Sequence, residues 1–230
     1  IIGSYLNKSL SQRNDLTLFG YDQPGDTIQF INIDLTDKDQ TEKIIKDQNP
    51  FNALIFLVGL AHKKSKNTEL YKKLNYTTLV NILSACEKYD RTPEKIIFAS
   101  TVSVYGEKYN QDIYNESMTP MPFSAYAVTK LMSEKLLQSK YSDKSWILRF
   151  APVYSDEFLL NIKRRTILGS RFYKVGNGSV KLSLCNIENI GSAVDGIMNN
   201  QIPAGTYNLS DSTEYTYSDL LNWQSAESIM

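Results

Sequence analysis

Three apolar runs, at residues 53–58, 95–100 and 146–150, constrain the fold more than anything else in this chain. Each is too short for an ordinary helix, and none alternates with polar residues as a half-solvated strand would. Such runs suit strands covered on both faces, as in parallel sheets. Between them lie longer segments whose apolar positions keep helical spacing. Over 68–89 these are Leu70, Leu74, Leu79, Ile82, Leu83 and Cys86, with Pro93 beyond the stop. A further helix is expected from Tyr126 to about Tyr141. Strict alternation of strand and helix implies right-handed crossovers, so an α/β fold with a doubly wound parallel sheet is expected, binding ligands at the strands' C-terminal ends.

The flanks extend this pattern. Apolar residues at positions 2, 6 and 10 read as an amphipathic helix already under way, with no strand before it. Residues 15–21 and 28–33 read as strands around a turn at Gln23-Pro24-Gly25-Asp26, and 36–47 as a helix opened by Thr36 or Asp37. After Pro152 the rhythm changes to a helix at 156–168, short strands at 171–175 and 181–185, a helix at 187–198 and a strand at 206–209. The expected division is therefore residues 1–152 as the sheet domain and 153–230 as a smaller lobe, incomplete where a last helix begins near Leu220.

Composition narrows the function. Twenty-five basic and 25 acidic residues cancel without long blocks of one sign, which argues against a nucleic-acid or anionic-lipid partner. Cys86 and Cys185 are far apart and His62 is the single histidine, so no metal site is expected and the thiols read as buried and reduced. No apolar run reaches membrane-span length, and a cytoplasmic location is the expectation.

Tyr126 and Lys130 lie four residues apart and so share one helix face. With 15 tyrosines and 19 lysines, about 1.2 Tyr-x-x-x-Lys matches are expected by chance, so the spacing alone carries nothing. Order carries more: a buried strand ending in Ser100-Thr101, a Val104-Tyr105-Gly106 turn, Tyr126 and Lys130 opening the next helix, then Arg149-Phe150-Ala151-Pro152. This succession resembles the extended short-chain dehydrogenase/reductase family, also called the NAD-dependent epimerase/dehydratase family, and within it the nucleotide-sugar 4-epimerases and 4-ketoreductases of surface-polysaccharide synthesis. Ile33-Asp34-Leu35, Leu57-Val58-Gly59-Leu60-Ala61-His62, Asn75, Gly176-Asn177-Gly178 and Gly205-Thr206-Tyr207-Asn208-Leu209 resemble further family segments. Gly3 resembles the last glycine of its phosphate loop, whose first strand and other glycines are not in this sequence.

The resemblance implies a Rossmann-type sheet domain that binds NAD, with NADP left open. Gly3, Asp22, Asp34, Leu35, Leu57, Val58, Gly59, Asn75, Ala99, Ser100, Tyr126, Lys130, Pro152 and Val153 would line the cofactor. Asp22, nineteen residues after Gly3, suits the carboxylate that takes the adenosine ribose hydroxyls, which favours NAD. Tyr126 would be the acid/base, Lys130 would lower its pKa and hold the nicotinamide ribose, and Thr101 would hydrogen-bond the substrate oxygen. The nucleotide-sugar substrate would meet Thr101, Val102, Ser103, Tyr126, Asn161 and Lys181. The family's dehydratases carry an Asp-Glu pair after the threonine. Val102 and Ser103 stand there instead, which disfavours dehydration and leaves 4-epimerisation through a 4-keto sugar, with 4-ketoreduction or a noncatalytic binding module as alternatives. The resemblance also implies a homodimer through a four-helix contact of the helices bearing Asn75 and Tyr126.

Overall fold

The computed structural model describes residues 1–20, 30–61, 68–106 and 113–224 of the 230-residue chain. It opens with helix α1 (Ile2–Leu10), strands β1 (Leu18–Gly20) and β2 (Phe30–Asn32), helix α2 (Lys38–Asp47) and strand β3 (Ala53–Phe56). Asp37 caps α2 by accepting the Gln40 N–H at 3.0 Å. Helix α3 (Thr68–Lys72) then runs through a π-helical turn (Lys73–Thr77) into α4 (Thr78–Lys88). The single helix expected over 68–89 therefore contains a local change of hydrogen-bond pattern, a feature frequent at functional sites. The Asn75 carbonyl in that turn accepts the Ser133 hydroxyl at 3.1 Å.

Strand β4 (Lys95–Thr101), a 3₁₀ turn (Val102–Tyr105), helix α5 (Ala125–Lys140) and strand β5 (Ser145–Phe150) follow. Beyond β5 the elements shorten: β6 (Val153–Tyr154), α6 (Leu160–Thr166), β7 (Ile167–Leu168), β8 (Arg171–Phe172), β9 (Lys181–Leu182), β10 (Cys185–Asn186), α7 (Ile187–Met198), β11 (Gly205–Leu209), β12 (Tyr215–Thr216) and α8 (Tyr217–Trp223). The helix expected at 156–168 begins later, because residues 155–158 close a small turn by a bridge between Ser155 and Phe158. The strand expected at 181–185 is two strands: β9 pairs antiparallel with β12, and β10 pairs parallel with β6.

A four-stranded parallel sheet in the order β11-β5-β4-β3 forms the centre, and β1 and β2 pair parallel beside each other as a separate two-stranded sheet. Successive residues of the central strands serve opposite faces. Ile96, Phe98 and Ile147 join Phe56 against apolar residues of α2, α4 and α5, whereas Ile97, Ala99, Trp146, Leu148 and Phe150 meet those of α1 and α7. Both faces are thus covered, which explains the near-continuous apolar runs.

The clean division expected at residue 152 is modified by the same need for cover. Ile190, Val194 and Ile197 of α7 pack into the core beneath α1, and β11 pairs in register with β5, so residues 187–209 return to the sheet domain. The smaller lobe is built on Ile162, Leu184 and Leu220. Among the described residues, no helix is long and apolar enough to cross a membrane.

Candidate active site

The site lies where β3 and β4 end and α5 begins. Buried β4 delivers Thr101 to its C-terminal end, where the Thr101 Oγ1 accepts the Ser103 N–H at 3.2 Å and opens the 3₁₀ turn. Gly106 closes that turn at φ +91°, and a Cβ there would stand 2.2 Å from the Met121 carbonyl oxygen, so only glycine fits. Ser124 caps α5 by accepting the Ala127 N–H at 3.2 Å, which sets the first helical turn and with it Tyr126.

The Tyr126 hydroxyl lies beside the Thr101 side chain, so the two hydroxyls singled out in the sequence are neighbours. Burial pushes the Tyr126 phenol up to about 12, and the Thr101 side chain beside it acts against that rise. Lys130 is 2% exposed, and burial pushes its ammonium down to about 7 while the Glu134 carboxylate opposes the shift. Its Nζ donates to the carbonyls of Ala99 (2.8 Å) and Val58 (3.1 Å) and lies 4.8 Å from the centre of the Phe98 ring. Sharing a helix face therefore does not pair Lys130 with Tyr126 in this arrangement. The ammonium is held by two strand-end carbonyls.

The remaining candidates fall into groups. A Cβ on Gly59 would lie 3.0 Å from Lys130 Nζ, so this glycine makes room for the lysine. The next residue, Leu60, gives its N–H to Asn75 Oδ1 at 2.6 Å. Asn75 is fully buried and also donates to Thr129 Oγ1 at 3.1 Å. Its amide is thus engaged within the protein, and it bears on the site through the 59–60 loop. Gly3 stands at the start of α1 opposite Leu57, whose Cδ1 would be 3.6 Å from an added Cβ, and no side chain caps this helix. Asp34 Oδ1 accepts the Thr36 N–H (2.9 Å) and hydroxyl (2.6 Å), bonds that hold its pKa below the ordinary value. The Leu35 side chain packs into the core.

Ser100 is buried, and its hydroxyl donates to Glu134. Pro152 and Val153 follow β5; their carbonyls accept the Cys185 N–H (3.1 Å) and the Asn161 amide (2.8 Å), so Asn161 braces β6. Lys181 is exposed on β9 and pairs with Glu214 at 2.5 Å. Val102 and Ser103 follow Thr101, with Ser103 exposed. Asp22 and His62 lie outside the described residues. Burial pushes the free thiols Cys86 and Cys185 up to about 11 and 12, and no metal-ligand cluster forms among the described residues.

Sequence reading missed Glu134 and Arg149, a buried ion pair with Arg149 Nη2 2.6 Å from Glu134 Oε2. Two signals were available: Glu134 lies one further turn along from Tyr126 and Lys130, and an arginine inside an otherwise apolar strand requires a buried partner.

The model of the NAD dependent epimerase/dehydratase family matches residues 1–210. The chain belongs to that family. A UDP-glucose epimerase of Bacillus subtilis, named but uncharacterized, is 39% identical over 87 residues, covering 36% of this chain and 26% of that protein. An uncharacterized protein of Methanocaldococcus jannaschii is 25% identical over 207 residues, covering 86% of this chain and 60% of that one. The chain thus spans less than two thirds of the length of these curated relatives. The crystal structure of UDP-glucuronic acid 4-epimerase from Bacillus cereus in complex with NAD superposes with a TM-score of 0.77 at 20% identity, over 100% of this chain and 83% of that one, a likeness of fold. In this chain Thr101 ends β4 of the parallel sheet, and Tyr126 and Lys130 lie in the first turns of α5.

Proposed function

We propose that this protein is an NAD-dependent nucleotide-sugar epimerase that inverts C4 through a 4-keto sugar. The observation that carries the reading is the placement of Tyr126, in the first turn of α5, beside Thr101 at the end of β4, with the buried Lys130 one turn further along the same helix. The residues present suit a dinucleotide: the uncapped start of α1 offers backbone N–H groups beside Leu57, and Gly59 keeps the floor open beside Lys130. Gly3, Leu57, Val58, Gly59, Ala99 and Lys130 would hold it there, with Asp34 at the adenine and Asp22 at the ribose. NAD bound there would supply the acceptor for the hydride of the sugar carbon and the means of its return.

The chain's own residues manage the proton. Tyr126 Oη takes the proton of the sugar hydroxyl and gives it back after the keto sugar has turned over. Thr101 Oγ1 holds the same sugar oxygen and steadies the charge that develops on it. With its pKa pushed up to about 12 the phenol stays almost wholly protonated at neutral pH, so positive charge must gather beside it before it acts as a base. Lys130, whose ammonium is held by the Ala99 and Val58 carbonyls, would supply that charge by turning toward Tyr126, and the oxidised nicotinamide of bound NAD would add to it. Val102 and Ser103 offer no carboxylic acid to expel a hydroxyl, which weighs against dehydration. The B. cereus and B. subtilis proteins are named for UDP-sugars, and these are the first substrates to try.

We include a homodimer in the proposal. Helices α3 and α5 pack against each other within the chain, as a two-fold four-helix contact requires, and sedimentation tests it. For the activity, a product assay by NMR with UDP-hexoses and UDP-hexuronic acids is decisive. Wild type should interconvert C4 epimers, and Tyr126→Phe should lose about 100- to 10,000-fold in kcat. Full activity in Tyr126→Phe, or a deoxy-keto product, would refute the reading.

A further inference from the structure

Beneath the site, polar groups that take no part in the proton transfer are joined into one chain that is buried at its inner end. Glu134, one turn beyond Lys130, is 0% exposed, and Arg149 on β5 is 3% exposed. The guanidinium engages the carboxylate through Nε (3.1 and 3.2 Å) and Nη2 (2.6 Å). Ser100, the residue before Thr101, donates its hydroxyl to the same carboxylate. At the far end, Arg149 Nη1 donates to Tyr105 Oη at 2.8 Å, and Tyr105 donates to Asn208 Oδ1 on β11 at 2.8 Å. Asn208 in turn gives its backbone N–H to Glu116 Oε1 at 2.6 Å.

Stability alone is a poor explanation for this arrangement. Burying two charges costs several kcal/mol per ion, and well-packed apolar replacements are often no less stable. What the network adds is directional linkage. The Glu134 carboxylate touches the strand that delivers Thr101 and, through Arg149, the neighbouring strand, while sitting on the helix that delivers Tyr126 and Lys130. Apolar packing of α5 on the sheet tolerates small sliding; a forked ion pair with a third bond from β4 does not.

We propose that Glu134 is a positioning residue which, by gripping Ser100 and Arg149, fixes the separation between the Tyr126 and Thr101 hydroxyls. The inference rests on the functional reading above and deepens it. A displacement of about 1 Å at reacting groups costs on the order of 100-fold in rate, so loss of the grip should appear in kcat before KM.

The test uses Glu134→Gln, which keeps the shape but removes the charge, and Ser100→Ala, which releases β4 while leaving the ion pair intact. Each is first checked for folding by thermal unfolding and for bound NAD. Both variants should lose about 10- to 100-fold in kcat with the nucleotide-sugar KM within about threefold. Crystal structures of wild type and Ser100→Ala read the geometry without any activity: the Tyr126 and Thr101 hydroxyls should stand about 1 Å further apart in the variant. Wild-type kcat in folded, NAD-loaded Ser100→Ala, or an unchanged hydroxyl pair in its crystal structure, overturns the proposal. Should Glu134→Gln fail to fold, Ser100→Ala decides. If the wild type turns over no nucleotide sugar, the functional reading fails while the crystal structure still judges the positioning role.

Discussion

Replacing Asn75 with alanine should loosen the floor of the site by a calculable amount. The side chain is fully buried and joins Leu60 N–H (2.6 Å) to Thr129 Oγ1 (3.1 Å). Leaving the Leu60 N–H without its acceptor costs about 1–3 kcal/mol, and the second bond contributes about 1 kcal/mol. The space left by three heavy atoms adds roughly 1 kcal/mol. Leu60 is only partly buried, so water recovers some of this, and a net loss of roughly 2–4 kcal/mol is expected. For a chain of this length that corresponds to a fall in Tm of about 5–15 °C. Urea unfolding of both proteins measures it: the midpoint should fall with the slope unchanged. NAD affinity should fall as well, because Gly59 lies on the same loop. A loss below about 0.5 kcal/mol would refute the argument, since it would mean that the π-helical turn does not anchor residues 59–60.

Other perturbations test separate links. Gly106→Ala places a Cβ 2.2 Å from the Met121 carbonyl at φ +91°, and should cost at least about 3 kcal/mol in urea unfolding; a neutral result would mean that the turn is soft. Gly59→Ala crowds Lys130 Nζ at 3.0 Å without backbone strain, so activity should fall about tenfold while stability changes by less than about 1 kcal/mol. Lys130 binds its proton less tightly folded, near 7, than unfolded, near about 10.4, so its contribution to stability improves as pH rises through that window. Wild type should therefore gain on Lys130→Met by at most about 1.4 kcal/mol per pH unit between pH 7 and 9, and a flat difference would contradict the buried, weakly basic lysine.

Much of the sheet domain was legible because burial on both faces leaves a plain mark: residues 53–58, 95–100 and 146–150 became β3, β4 and β5 with small changes at their ends. The smaller lobe was less legible. Its strands are two residues long, and pairings such as β9 with β12 and β10 with β6 depend on partners about 30 residues away or more. Residues 187–209 carried no local sign that α7 would cover the face of Trp146 and Leu148, or that β11 would pair with β5. At the site, Thr101, Tyr126 and Lys130 were singled out by their order along the chain, and the structure gathers them at one sheet edge. The partners of Lys130 were not legible, because its hydrogen bonds go to backbone carbonyls that any residues at positions 58 and 99 would supply. Asn75 and Ser100 illustrate the same limit: both lie beside the site, yet their side chains turn inward to Leu60, Thr129 and Glu134.

In the proposed reaction C4 would invert by removal and return of one hydride, with Tyr126 handling only the hydroxyl proton. Running the reaction of NAD-loaded protein with a UDP-sugar in deuterium oxide and reading the product by NMR tests this directly. The account predicts a C4 epimer that retains its original carbon-bound hydrogen, with no deuterium on the ring. Deuterium incorporated at an inverted carbon, or loss of a hydroxyl group from the sugar, would contradict it.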